Sequence, residues 1–288
     1  MRLEVTLVDA CARAGRGGSP TAVVIGDQAL DDDARKRVAA LAGTSHAAFV
    51  EEGTDSTGGR CVRFFTRDAE LMGCGHGTVA AQAVLLARSG SAGSVGYQHT
   101  GGRTVAVQAV RQPTGIEVWF DQGAVDLSTP TDGEVLPLIE ALGLASAGGL
   151  GAGVAIASAG VPRLLVPVAD SATLSRLTPD LDLVAERCRN TGLLGCFVYT
   201  NPSVTGDSQA RMFAPAIGVP EDIANANSTG CLAAHLLATR GTPTVQCHQG
   251  DLLGRPCTVY AAAVATPAGL RTRVGGHALI RQDLSLTI

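Results

Sequence analysis

GCGHGTVAAQAVLLA, residues 73–87, sets a cysteine and a histidine among glycines at the head of an alanine-rich run. ANSTGCLAAHLLA, residues 226–238, repeats the plan with a polar, glycine-bearing head and an alanine-rich body. Each is preceded by an Arg-x-Phe segment, Arg63-Phe64-Phe65-Thr66 in the first half and Arg211-Met212-Phe213-Ala214 in the second. Strand, glycine loop and buried helix therefore occur twice in the same order, the mark of duplicated domains.

Working outward, residues 2–9 and 21–26 read as strands round the turn GRGGSP, and 30–42 reads as an amphipathic helix. Residues 45–51 and 61–66 read as strands, 76–88 as a buried helix, and 95–99, 104–110 and 115–120 as further strands. The turn-rich LSTPTDGE, 127–134, separates two domains, 1–127 and 134–277. The second half gives helices at 135–143, 180–189 and 228–239. Its strands fall at 153–158, 163–168, 195–200, 209–214, 257–265 and 271–280.

Composition narrows the chemistry. The 288 residues are 45% apolar and 17% charged with a net charge of −4, which supports packed cores and offers no basic patch for nucleic acid. No stretch is long and apolar enough for a membrane span, and the first residues read as a strand rather than a signal peptide, so a cytoplasmic protein is expected. The eight cysteines lie scattered without CxxC pairs and read as thiols. Lys36 is the single lysine and sits in an amphipathic helix pattern, which argues against Schiff-base chemistry.

The head of a helix carries unpaired N–H groups and a partial positive charge, and flanking glycines let a ligand approach them. Gly75 and Gly77 in the first half, and Asn225, Asn227 and Ser228 in the second, are therefore candidates to hold a carboxylate. A cysteine at such a head, here Cys74, has its thiolate favoured. Two such heads facing each other across a cleft would grip one small anion and present an acid or base to it. Cys74-x-His76 could also open a metal site, but no PCxxC or HExxH follows it, and no GxGxxG marks a dinucleotide site.

Seven segments, VDACARAGRGGSPTAVVI, AGTSHAAFV, RFFTRDAELMGCGHGTVAA, ASAGVPRLLVPV, ARMFAPAIGVPEDIA, HQGDLLGRPC and RVGGHAL, follow in order the landmarks of the PhzF (phenazine-biosynthesis-like) family, which the chain resembles nearly end to end. That family belongs to the diaminopimelate epimerase/proline racemase superfamily. The resemblance implies an α+β fold of two similar domains, each a β-barrel-like sheet wrapped round a central helix, with the active site in the inter-domain cleft. It implies that a last strand, about 278–288, returns to the first domain. It further implies a homodimer, no metal and no organic cofactor, and proton transfer on a small carboxylate substrate.

Residue by residue, His76 matches the family's active-site histidine and Asp222 its active-site aspartate. The family's acid/base glutamate lies in a Ser-Glu-Thr/Ala-x-Phe segment. Here that segment is Ser45-His46-Ala47-Ala48-Phe49, with His46 in the glutamate's place. Racemase relatives carry a second cysteine where this chain has Asn225 or Asn227, depending on how the repeats are registered.

Racemisation through two cysteines is thereby disfavoured. A single shuttle, His46 or else Cys74, can remove a proton and return it elsewhere on a conjugated system. His76 and Asp222 would orient the substrate, with Ser19 and Ser45 as further lining residues. The resulting expectation is a cofactor-independent isomerase shifting a double bond in a small unsaturated carboxylic or amino acid. Its setting would be secondary metabolism, and the isomerases of 4-alkyl-proline antibiotic pathways fit somewhat better than those of phenazine pathways. The competing readings are an amino-acid or hydroxyproline racemase and an inactive carboxylate-binding protein.

Overall fold

The computed structural model describes residues 1–26, 30–56, 58–144 and 153–288. The chain divides into two compact units. Unit 1 is Met1–Asp121 with Arg255–Thr258 and Gly275–Ile288, and unit 2 is Gln122–Gly254 with Val259–Val274.

Unit 1 begins with β1 (Arg2–Ala10), β2 (Ser19–Ile25), α1 (Asp32–Leu41), β3 (His46–Val50), β4 (Arg60–Phe65) and the short β5 (Glu70–Leu71). It continues with α2 (Gly75–Ser89), β6 (Gly93–Thr100), β7 (Arg103–Gln112) and the first part of β8 (Gly115–Ser128). β1 pairs antiparallel with β2, β2 runs parallel to β3 with Thr21 opposite His46, and β3 pairs antiparallel with β4. On its other edge β1 pairs with the end of β16 (Gly269–Thr287), from Arg2 opposite Thr287 onward. β8 and β16 are also paired, and Gly275 leaves no Cβ to strike the Val118 carbonyl.

α2 is buried on every side, as a helix wrapped by a sheet must be. β3 is buried on both faces for the same reason. Ala47 and Phe49 point into a core with Val5, Val24, Val38 and Phe65 under α1. The alternation of a strand then puts His46 and Ala48 on the opposite face, toward α2.

Unit 2 repeats the design. It holds α3 (Asp132–Ala141), β9 (Ala155–Ser158), β10 (Pro162–Val168), α4 (Ser171–Arg176), α5 (Leu181–Thr191), β11 (Cys196–Thr200) and β12 (Asp207–Ala214). A 3-10 turn and β13 (Val219–Asp222) lead to α6 (Ala226–Arg240), β14 (Thr244–Gln249) and β15 (Cys257–Thr266). β10 and β11 run parallel, β11 and β12 antiparallel, and β12 parallel to β14. α6, like α2, is buried all round, and α3 and α5 cover the outer face over Leu164, Val166, Val198 and Phe213.

The fold is thus α+β with two like-designed units. β5, α4, β13 and β14 were not expected from sequence. The first three span two to six residues and are too short to show a period. β14 alternates buried and exposed side chains but begins only three residues after the glycine cap of α6. Among the described residues no helix is long and apolar enough to cross a membrane.

Candidate functional site

Cys74 is the N-cap of α2. Its backbone is extended, with φ −144° and ψ 114°, and its Sγ accepts the Gly77 N–H at 3.3 Å. Gly77 is required there, because a Cβ would come within 2.7 Å of the Phe64 ring and 3.0 Å of Cys74 Sγ. With this close turn, His76 folds back so that its Nε2 lies 3.3 Å from Cys74 Sγ. Both residues are buried.

β3 supplies the third group. His46 stands edge-on to His76, ring centres 4.3 Å apart and planes at 78°. Its Nδ1 is 2.9 Å from the Ser45 hydroxyl, which itself reaches toward the Pro20 carbonyl at 3.5 Å. Loss of water on burial, and secondarily the neighbouring His76, push the His46 pKa down to about 2. His46 is therefore a neutral imidazole across the physiological range. Ser19 is buried at the start of β2, opposite Ala10 of β1 and two residues before Thr21, the partner of His46 across the β2–β3 pair.

In unit 2 the head of α6 is built from the same parts with different chemistry. Asn225 is the N-cap, its side-chain oxygen accepting the Ser228 N–H at 2.8 Å. Asn225 therefore holds the position that Cys74 holds on α2, and Asn227 falls level with His76. Asn225 Nδ2 donates to Asp222 Oδ2 at 2.9 Å, and the other Asp222 oxygen receives the Ala224 N–H at 3.4 Å. Asp222 is half-buried and fixed by these bonds. The Asn227 carbonyl is held by Gln122 at 2.9 Å.

Behind Ser228 lies a residue the sequence reading passed over. Arg163, on β10, is 2% exposed; its guanidinium donates to the Ser228 hydroxyl at 3.3 Å and to the Val161 carbonyl at 2.7 Å. Among the described residues its Nε has no hydrogen-bond partner and no carboxylate pairs with it. A guanidinium shut away from water costs several kcal/mol without a counter-charge, on the order given for buried ions. Arg163 thus sets a buried positive charge behind the first turn of α6, whose cap Asn225 is bonded to the Asp222 carboxylate. The available signal was one arginine in the otherwise apolar strand PRLLVPV.

The two heads thus differ in kind. The first gathers a thiol and two imidazoles, groups that exchange protons or bind metals. The second gathers an amide, a hydroxyl, a fixed carboxylate and a buried cation.

Comparison with known proteins agrees with this architecture. The family model for phenazine biosynthesis-like protein, PhzC-PhzF, matches residues 8–283. An uncharacterized isomerase of Deinococcus radiodurans is 30% identical over 277 residues, covering 92% of this chain and 89% of that one. The trans-2,3-dihydro-3-hydroxyanthranilate isomerase of Pseudomonas aeruginosa is 28% identical over 271 residues, covering 89% of each. Among solved structures, a predicted epimerase of Pseudomonas aeruginosa superposes with a TM-score of 0.82 at 27% identity, covering 99% of both chains. With the match running through both helix heads and nearly the whole chain, this protein belongs to the phenazine biosynthesis-like (PhzF) family of isomerases.

Proposed function

We propose that this isomerase shifts a double bond in a small unsaturated carboxylic or amino acid by proton transfer, without an organic cofactor, in a secondary-metabolite pathway. The observation that carries the reading is the His46–His76–Cys74 cluster, in which a neutral imidazole stands 4.3 Å from a second ring, itself 3.3 Å from a thiol. His46 accepts the proton from a carbon activated by a neighbouring alkene, imine or carboxylate. The same nitrogen returns it at another carbon of the conjugated system, so the double bond moves and the net charge is unchanged. His76 and Cys74 steady the delocalised anion by hydrogen bonding.

In unit 2, Asp222 and the first turn of α6, backed by Arg163, have the polarity to orient an amino acid's charged groups. The Pseudomonas relative is named for a cyclic unsaturated amino acid, which supports that substrate class. Racemisation is the weaker reading, because Asn225 occupies the capping position that Cys74 holds in unit 1 and cannot serve as a second acid/base thiol.

Proton NMR in heavy water tests the reading. The panel is proline, hydroxyproline, diaminopimelate and cyclic unsaturated amino acids of the alkyl-proline type. Deuterium in a migrated-alkene product with the α-centre retained, absent in His46→Ala, is expected. Exchange confined to the α-position would replace this reading with racemisation.

A further inference from the structure

The cluster in unit 1 has a second chemistry written into it. His46, Cys74 and His76 each offer one ligand atom, and these atoms all lie within 4.8 Å of one another. Zn–N bonds of about 2.0–2.1 Å and Zn–S bonds of about 2.3 Å place tetrahedral ligand atoms about 3.3–3.6 Å apart. The Cys74 Sγ to His76 Nε2 separation, 3.3 Å, is within about 0.3 Å of the sulfur–nitrogen value at the upper end of that range. His46 needs a shift of roughly one ångström, within the reach of a side-chain torsion at a half-buried position.

Supporting features belong to the same picture. The Gly77 amide, donating to Cys74 Sγ at 3.3 Å, holds the sulfur in place at the start of α2. The Ser45 hydroxyl on His46 Nδ1 fixes the ring from behind and leaves Nε2 as the ligating atom, the place an outer hydrogen-bond partner takes on a metal-bound histidine. The matching places in unit 2 carry none of this. Asn225 and Asn227 replace Cys74 and His76. The residue level with His46 is Gly195, where a Cβ would collide with the Phe213 carbonyl.

We propose that His46, Cys74 and His76 form a binding site for a divalent transition-metal cation of the Zn²⁺ class, with the fourth position left to water. Cys74 releases its thiol proton to solvent as the Sγ–metal bond forms. The lone pairs that hold the metal are those that would carry a proton. Metal occupancy and turnover therefore exclude each other on the isomerase reading above, whereas binding itself is measured with no substrate present.

Titration of the reduced, chelator-treated protein with cobalt chloride tests the site. One equivalent is expected to give a thiolate-to-cobalt charge-transfer band and the strong visible absorption of a four-coordinate ion, and zinc chloride should bleach both at one equivalent. Cys74→Ser should lose the charge-transfer band while keeping its circular dichroism. His46→Gln should weaken cobalt binding by more than the roughly 10-fold to 100-fold typical of losing an outer partner, and Ser45→Ala by about 10-fold. A charge-transfer band of full strength in Cys74→Ser, unchanged affinity in His46→Gln, or no saturation at one equivalent in the wild type would each overturn the proposal.

Discussion

The heads of α2 and α6 are two outcomes of one design. In unit 1 Arg63 grips Glu70 with two hydrogen bonds, 2.8 and 2.7 Å, and lies 5.0 Å over the Phe65 ring. In unit 2 Arg211 grips Glu221 at 3.0 and 2.8 Å and lies 4.8 Å over Phe213. Gln98 donates to the Thr78 hydroxyl at 3.0 Å, and Gln249 to the Thr229 hydroxyl at the same distance. Both helices run 15 residues and end on a left-handed glycine, Gly90 and Gly241. What the two units share is scaffold.

What they do not share is chemistry. Strand register makes this explicit, since Ala47 faces Phe65 as Cys196 faces Phe213, which sets His46 level with Gly195. One strand over, Ala22 faces Ala47 as Leu164 faces Cys196, which sets Thr21 level with Arg163. The caps Cys74 and Asn225, and behind them His76 and Asn227, complete the divergent set. The duplicated frame thus separates residues that hold the turn from residues that act there.

The largest effect should follow from removing a divergent residue. His46→Ala is expected to lower turnover by at least about 100-fold, the scale of a lost general acid/base, with thermal stability little changed. Turnover within a few-fold of wild type would return His46 to the scaffold class.

Next come the shared ion pairs, which differ in burial. Side chains of Arg211 and Glu221 are 12% and 14% exposed, against 29% and 39% for Arg63 and Glu70. Arg211→Met strands Glu221 and also abandons the Leu174 and Leu177 carbonyls, so a loss of about 3 kcal/mol in urea unfolding is expected. Arg63→Met should cost about 1 kcal/mol, as for exposed pairs. Equal losses would break the proposed gradient of burial. The Arg63 pair also carries a pH signature. Its hydrogen bonds hold the Glu70 carboxyl below its ordinary 4.5, so its contribution is complete above pH 4.5 and fades as pH falls through the lowered value.

The caps give a smaller contrast. Asn225→Ala should destabilise unit 2 by about 1 kcal/mol, since an amide oxygen caps well. Cys74→Ala should cost less, because sulfur is a weak acceptor. A larger loss at Cys74 would mean that its position was kept for stability rather than for reactivity.

How much of this could be read from the chain alone depends on the length of the signal. α2 and α6 are legible because each is a long alanine-rich run between a polar head and a glycine. The Arg-x-Phe strands are legible because they recur. The four-residue β13 carries no period and stayed hidden. The nearness of His46 to Cys74 and His76 comes from β3 lying against α2, a tertiary fact that periodicity does not contain, so only family resemblance pointed to it. The choice between Asn225 and Asn227 as counterpart of Cys74 needed the capping bond to Ser228. Arg163 was missed because a single arginine in an apolar strand reads as an exposed edge residue, whereas it is buried against Ser228.

Arg163 is also where the comparison is tested at its finest. Thr21, its counterpart, is buried and bonds the Ser19 carbonyl at 3.3 Å, an ordinary local arrangement. Arg163 adds a charge at the same depth, and burial lowers its pKa without removing that charge. Exchanging a buried ionic group for an apolar side chain of similar length is often neutral or stabilising. Arg163→Met should therefore leave the urea midpoint unchanged or raised, while the affinity of unit 2 for a small carboxylate probe such as pyrrole-2-carboxylate falls several-fold by calorimetry. A destabilised protein with unaltered carboxylate affinity would place Arg163 among the shared scaffold. A stable protein with weakened binding would place it with His46 and Cys74, among the residues by which two copies of one turn came to do different work.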